Sequence, residues 1–160
     1  MGALSQRIIT KVSGPAWESL RGQFMQMAQL LLAVSPDANC ELLTTYVKFT
    51  VRAAPESHVF AAIWLKNSKR LVVGLALPED CDAEELGPAP LGMRYKGLTK
   101  YFVVERDGAV PKGFATWAKL AYRRTLSAEP WATIAGFLDE LAAREKVKQG
   151  QTRTLLRRAS

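Results

Sequence analysis

Apolar residues recur at intervals of three and four between residues 15 and 34 and at intervals of two between residues 45 and 52. The first spacing predicts a helix and the second a strand. Trp17, Leu20, Phe24, Met27, Leu31 and Val34 form one helical face. Ser13-Gly14-Pro15 is its expected entry, with Pro in the first turn, where a missing N–H costs nothing. Ser35-Pro36-Asp37-Ala38-Asn39 should end it. In 45–52, Val47, Phe49 and Val51 alternate with Tyr46, Lys48, Thr50 and Arg52, the pattern of a strand solvated on one face. Residues 1–12 show neither period and are expected as a short arm.

The densest apolar stretch is 58–77, where two runs of Val, Ile, Leu, Phe and Trp are interrupted only by Lys66-Asn67-Ser68-Lys69. This is a hairpin signature. With Asn67 and Ser68 as the turn, Lys66 faces Lys69, Trp64 faces Leu71, Phe60 faces Leu75 and His58 faces Leu77. That register puts Phe60, Trp64, Leu71 and Leu75 on a bulky face. Val59, Ala61, Ile63, Val72, Gly74 and Ala76 make a smaller apolar one. The third helix, the long loop or a second copy of the chain must then cover the smaller face.

Residues 78–100 form the longest irregular segment, acidic at first and basic through Arg94, Lys96 and Lys100. A strand is expected from Tyr101 to Arg106, stopped by Asp107-Gly108. Pro111-Lys112-Gly113 opens a second helix with Phe114, Trp117, Leu120 and Ala121 on its apolar face and Arg123 and Arg124 in its last turn. A third helix should start at Glu129-Pro130 and turn Trp131, Ile134, Leu138 and Leu141 inward. Beyond Ala143 the pattern dissolves. Consecutive strands with short connections predict an α+β domain spanning 13–143. Its antiparallel sheet has about four strands around the central hairpin (58–77), flanked by an N-terminal helix and two C-terminal helices. A basic tail, 144–160, follows.

Length and composition suit one such domain, since 160 residues with 48% hydrophobic content can fill a core without disulfides or metal. Cys40 and Cys81 fall in expected loops, without a C-x-x-C partner, which suggests a reduced, intracellular setting. No apolar run reaches the length of a secretory signal or a transmembrane helix, so a cytoplasmic location without membrane contact is expected. The net charge of +7 is unevenly spread. Residues 35–143 hold 13 Lys and Arg against 13 Asp and Glu, whereas 144–160 hold 6 against 1. The body is balanced and the tail is basic.

Candidate chemistry is sparse. His58, the single histidine, has no orienting partner in the sequence and reads as a strand-start residue at the sheet edge. The acidic neighbours Glu79, Asp80, Asp82, Glu84 and Glu85 would raise the Cys81 thiol pKa, the reverse of activation. Those carboxylates lack the spacing of a calcium loop. Gly87, Gly92 and Gly97 match no nucleotide fingerprint and are expected in turns, and no serine sits in a nucleophile motif. No catalytic residue, cofactor or metal is assigned.

Tyr46-Val47-Lys48-Phe49, Phe60-Ala61-Ala62-Ile63-Trp64, residues 70–78 (RLVVGLALP), and Trp117 with Ala121-Tyr122 resemble a bacterial family catalogued as domain of unknown function 5655. The resemblance covers roughly residues 16–125 and implies a small α+β domain with these strands between helices. Members are often labelled predicted transport proteins. The family supplies no catalytic residues to carry over. The third helix and the tail lie outside the matched stretch.

The basic surface remains. Arg94, Lys96 and Lys100 in the long loop and Arg144, Lys146, Lys148, Arg153, Arg157 and Arg158 in the tail are the candidate contacts to nucleic acid or an acidic protein, with Tyr95 and Tyr101 available for stacking. The plain alternative is a solubilising terminus. A non-enzymatic interaction domain is the expected function. Its rivals are a small enzyme or ligand-binding protein with a site between the 78–100 loop and the sheet, using Tyr95, Lys96, Thr99, Lys100 or His58, and a homo-oligomeric structural subunit joined through the small apolar face.

Overall fold

The computed structural model describes residues 4–53, 56–127 and 130–159, with side-chain surroundings described as far as Lys146. Its class is α+β, with five antiparallel strands in the order β1-β2-β3-β4-β5 and helices before and after them. The strands are β1 Asn39–Leu42, β2 Tyr46–Ala53, β3 Glu56–Asn67, β4 Arg70–Leu75 and β5 Lys100–Glu105. The fifth strand relative to expectation is β1, a four-residue edge that pairs with β2 from Asn39↔Thr50 to Leu42↔Val47. Cys40 therefore sits in a strand and not in a loop.

The N-terminal arm is also structured. Helix α1, Gln6–Val12, is capped by the Ser5 hydroxyl, which accepts from the Ile8 amide, and it buries Ile8 and Val12. Its end is held by Arg21, whose guanidinium donates to the carbonyls of Val12 (2.6 Å), Ser13 (3.0 Å) and Gly14 (3.1 Å). Those are the orphan acceptors that a helix C-terminus leaves behind. A 3₁₀ turn, Pro15–Trp17, leads into α2, Glu18–Leu32, which buries Leu20, Phe24, Met27 and Leu31, all four taken from the predicted face.

The hairpin exists, but its register differs by one residue. Ser68 and Lys69 occupy the turn, and β3 pairs with β4 through Ala61↔Leu75, Ala62↔Gly74, Ile63↔Val73 and Trp64↔Val72, shifting to Asn67↔Arg70 across an irregularity. The Asn67 side chain explains the shift: its Oδ1 accepts from the Lys69 amide at 2.8 Å, so Asn67 mimics a turn carbonyl and is not a central turn residue. A slip of one residue exchanges the faces of a strand. Hence Ile63 shares a side with Val73 and Phe102, while Trp64 shares the other with Val72 and Val103. A second irregularity, where Phe49↔Ala61 gives way to Thr50↔Val59, leaves Phe60 as an extra residue. Its ring meets Tyr122 edge-on at 6.3 Å. The predicted bulky face of Phe60, Trp64, Leu71 and Leu75 is thus divided between the two sides.

Helix α3, Phe114–Leu126, packs on the first side, where Phe102 meets Phe114 and Trp117 at 5.8 Å each. The second side is covered by residues 78–100, one of the three covers anticipated. Gly74 lets this happen: a Cβ there would lie 2.6 Å from Tyr101 Cε2 and 3.1 Å from Leu98 Cδ1. Tyr101 stacks toward Trp64 (5.9 Å), which reaches Tyr46 (5.5 Å), which reaches Tyr95 of the loop (5.9 Å). The loop backbone also pairs with the sheet edge, Gly87 exchanging both hydrogen bonds with Tyr101. Ala61 and Ile63 lie under the helices, Val72 under the loop, and all three are buried. The small apolar face proposed for a homodimer does not exist as one exposed surface.

The last helix departs most from expectation. Helix α4 begins at Ile134, not at residue 129, and runs without interruption to Ala159, so residues 144–159 of the expected basic tail continue a helix. At 26 residues it is about 39 Å long. Asp80 caps it, its two carboxylate oxygens accepting from the Ile134 amide at 2.8 and 3.0 Å. Trp131 is buried against Phe137 (4.7 Å), but Leu138 is 57% exposed, contrary to its predicted inward position. Residues 142–146 are exposed consecutively, and therefore on every side of the helix, so this part stands clear of the domain. Among the described residues no helix is long and apolar enough to cross a membrane.

Candidate anion-binding cleft

The loop that covers the sheet also builds a basic concavity among the described residues. Two glycines with positive φ, Gly92 (79°) and Gly97 (93°), permit the turns on either side of residues 93–96. Met93 and Leu98 are buried as anchors, and the Tyr95 amide donates to Tyr101 Oη at 2.9 Å. Arg94 and Lys96 are left exposed between these fixed points. They border an open cleft of about 600 Å³, closed on its other sides by Ser57, His58 and Val59 at the start of β3 and by Arg124 and Thr125 at the end of α3. Pro130, just ahead of α4, completes the rim.

Arg124 gives the cleft its character. Its Nε donates to the Trp131 carbonyl at 2.9 Å, which fixes the plane of the guanidinium. Partial burial pulls its pKa below the ordinary value, and Glu79 opposes this through space. The group nevertheless stays charged. No described carboxylate lies within ion-pair distance of it, and none lines the cleft. Its neighbour Arg123 lies instead over the Phe137 ring, 5.8 Å from the centroid, and so helps dock α4.

The candidate residues of the sequence separate into three groups. Arg94 and Lys96 meet in the cleft. Lys100 does not join them: it is half-buried, pairs with Asp82 at 3.3 Å, and borders a neighbouring hollow with Glu79, Arg94 and Thr99. Arg144 pairs with Glu140 at 2.6 Å along α4, and Lys146 is exposed. Lys148, Arg153, Arg157 and Arg158 lie on the backbone of the same helix. Thr99, offered as part of an enzyme site, donates its hydroxyl to the carbonyls of Leu77 and Leu75. Of that rival set, His58, Tyr95 and Lys96 share the cleft and Thr99 and Lys100 do not.

The acidic segment has a structural use, since Asp80 caps α4 and Asp82 holds Lys100. Among the described residues no group of three His, Cys, Asp or Glu could hold a metal ion. Cys81 is buried, and burial raises its pKa, with Asp80 adding to the effect and Lys100 opposing it.

Arg124 is the residue that sequence reasoning missed as a ligand contact. Its place in the last turn of a helix is explained by the helix dipole alone. Only the fold brings it beside Arg94 and Lys96, thirty and twenty-eight positions away in sequence. Comparison with known proteins adds nothing to this geometry: no family model, no curated protein and no solved structure matches the chain.

Proposed function

We propose that this chain is a non-enzymatic interaction domain that binds polyanions, nucleic acid first, through a basic face made of the cleft and α4. One observation carries the reading. Arg94, Lys96 and Arg124 converge without a described carboxylate among them, at the root of a helix whose final segment, 144–160, holds 6 basic residues against 1 acidic. A basic cleft near the start of a helix that carries further cations offers successive contacts to a polymer. Phosphate contacts of this kind position a nucleic acid without reading its sequence.

Two members of the original basic set are set aside in this reading. Lys100 and Arg144 each have a carboxylate partner, so their local charge is balanced. The contacts proposed are Arg94, Lys96 and Arg124 in the cleft, with Lys146, Lys148, Arg153, Arg157 and Arg158 on the helix. Tyr95, half-buried between Arg94 and Lys96, offers a ring on which an unpaired base can stack.

A gel-shift assay at low salt tests the proposal. The full chain should retard a single-stranded oligonucleotide. Replacing Arg94 and Lys96 by Gln, or the five helix cations by Gln, should each weaken binding about tenfold or more. An acidic protein partner is the second reading. It gains ground if the full chain leaves nucleic acid unshifted.

A further inference from the structure

We propose that the cleft bordered by His58, Arg94, Lys96 and Arg124 is a binding site for a phosphate monoester, the dianionic group carried by a small phosphorylated metabolite or by the end of a nucleic-acid strand. The inference sharpens the preceding reading by naming the ligand of its cleft, and it does not need a polymer to be true.

The cleft is placed to recognise a terminal phosphate more readily than an internal one. Arg124 is half-buried on the cleft wall, while Arg94, Lys96 and His58 are exposed at its mouth. A half-buried guanidinium with no described carboxylate partner has lost part of its hydration, so an anion that enters and accepts its hydrogen bonds is favoured. With Nε already bound to the Trp131 carbonyl, the other guanidinium N–H groups make no hydrogen bond to described residues. An internal phosphodiester carries one charge and is flanked by sugars on both sides, which hinder entry into a concavity. A monoester carries close to two charges at neutral pH and has a free end with three acceptor oxygens. The three cations Arg94, Lys96 and Arg124 more than balance that charge.

The site is largely formed in advance. The buried anchors Met93 and Leu98 and the bond from the Tyr95 amide to Tyr101 Oη hold the loop on either side of Arg94 and Lys96, so less ordering remains to oppose binding. A volume of about 600 Å³ falls within the range of small-ligand pockets and admits a mononucleotide.

The molecule carries its own reporter. His58 is the single histidine and borders the cleft, so its imidazole resonances are assigned without ambiguity. Inorganic phosphate should be titrated into the full chain, with ionic strength held constant by chloride. The His58 resonance should then move along a saturable curve. Arg124→Gln should weaken that curve about tenfold, as should Arg94→Gln, which alters an exposed side chain and leaves the fold intact. A nucleoside 5′-monophosphate and a 5′-phosphorylated oligonucleotide should each compete with phosphate. The stronger competitor identifies the natural source, and the same oligonucleotide with a 5′-hydroxyl should compete poorly. A non-saturable response to phosphate, or curves in both variants that superimpose on that of the unaltered chain, would overturn the proposal. Phosphate binding without oligonucleotide binding would sink the nucleic-acid reading alone.

Discussion

Gly74 of β4 lies opposite Tyr101 of β5, and the tyrosine ring occupies the space in which a side chain at position 74 would stand. A Cβ added there would come within 2.6 Å of the ring. That close approach lets Tyr101 lie flat on the sheet and present its hydroxyl to the Tyr95 amide at 2.9 Å. The glycine thereby seats the loop that carries Arg94 and Lys96. Gly74→Ala should displace a ring packed among Trp64 and Leu98, at a cost of about 2 kcal/mol. Urea unfolding of the variant checks this, with a lower midpoint and an unchanged slope as the expected result.

Tyr101→Phe should keep the packing and remove the pin. The Tyr95 amide then loses its acceptor, which should cost about 1 kcal/mol. The larger effect should be local, with faster hydrogen exchange at the Tyr95 amide and weaker anion binding in a fold that is otherwise unchanged.

Asp80→Ala should loosen α4 from its first turn. The Asp80 carboxylate accepts from the Ile134 amide, and the Glu79 amide donates to the Ala132 carbonyl at 2.8 Å, so this short acidic segment both caps and docks the helix. Loss of the cap should cost about 1 kcal/mol. Hydrogen exchange should accelerate at the start of α4 and stay unaltered in β3 and β4.

The cysteines should be sluggish toward alkylation. Burial raises the Cys40 pKa, and burial together with Asp80 raises that of Cys81, so both hold less thiolate at neutral pH than a free thiol would. A disulfide-exchange reagent should therefore label both thiols slowly in the native protein and rapidly in denaturant. Lys100 opposes the shift at Cys81, so Lys100→Ala should slow Cys81 further.

The sequence makes legible those elements whose stability is local in pattern. The faces of α2 and α3 follow directly from apolar spacing, and Phe24, Met27, Phe114 and Trp117 are buried as their positions require. Helix α1 escapes because it has only two buried positions, Ile8 and Val12, and its end depends on Arg21 arriving from α2. Strand β1 is four residues long and is defined by its pairing with β2. The hairpin is plain, yet its register turns on one hydrogen bond accepted by the Asn67 side chain and one extra residue at Phe60. No period in the sequence encodes either. The basic loop is visible as charge, and its candidate residues Arg94 and Lys96 do meet. Arg124, which borders the same cleft, is reached only through tertiary packing. Lys100 and Arg144 show the converse, cations whose partners, Asp82 and Glu140, decide that they contribute little free charge.

Binding of a labelled single-stranded oligonucleotide across a salt series tests the central claim most directly. For the eight phosphate contacts proposed, on a single strand, the logarithmic slope should be about −5.6, and replacing Arg94 and Lys96 by Gln should reduce its magnitude by about 1.4. No binding at low salt, or a slope identical in the variant, would contradict a polyanion-binding face built on this cleft.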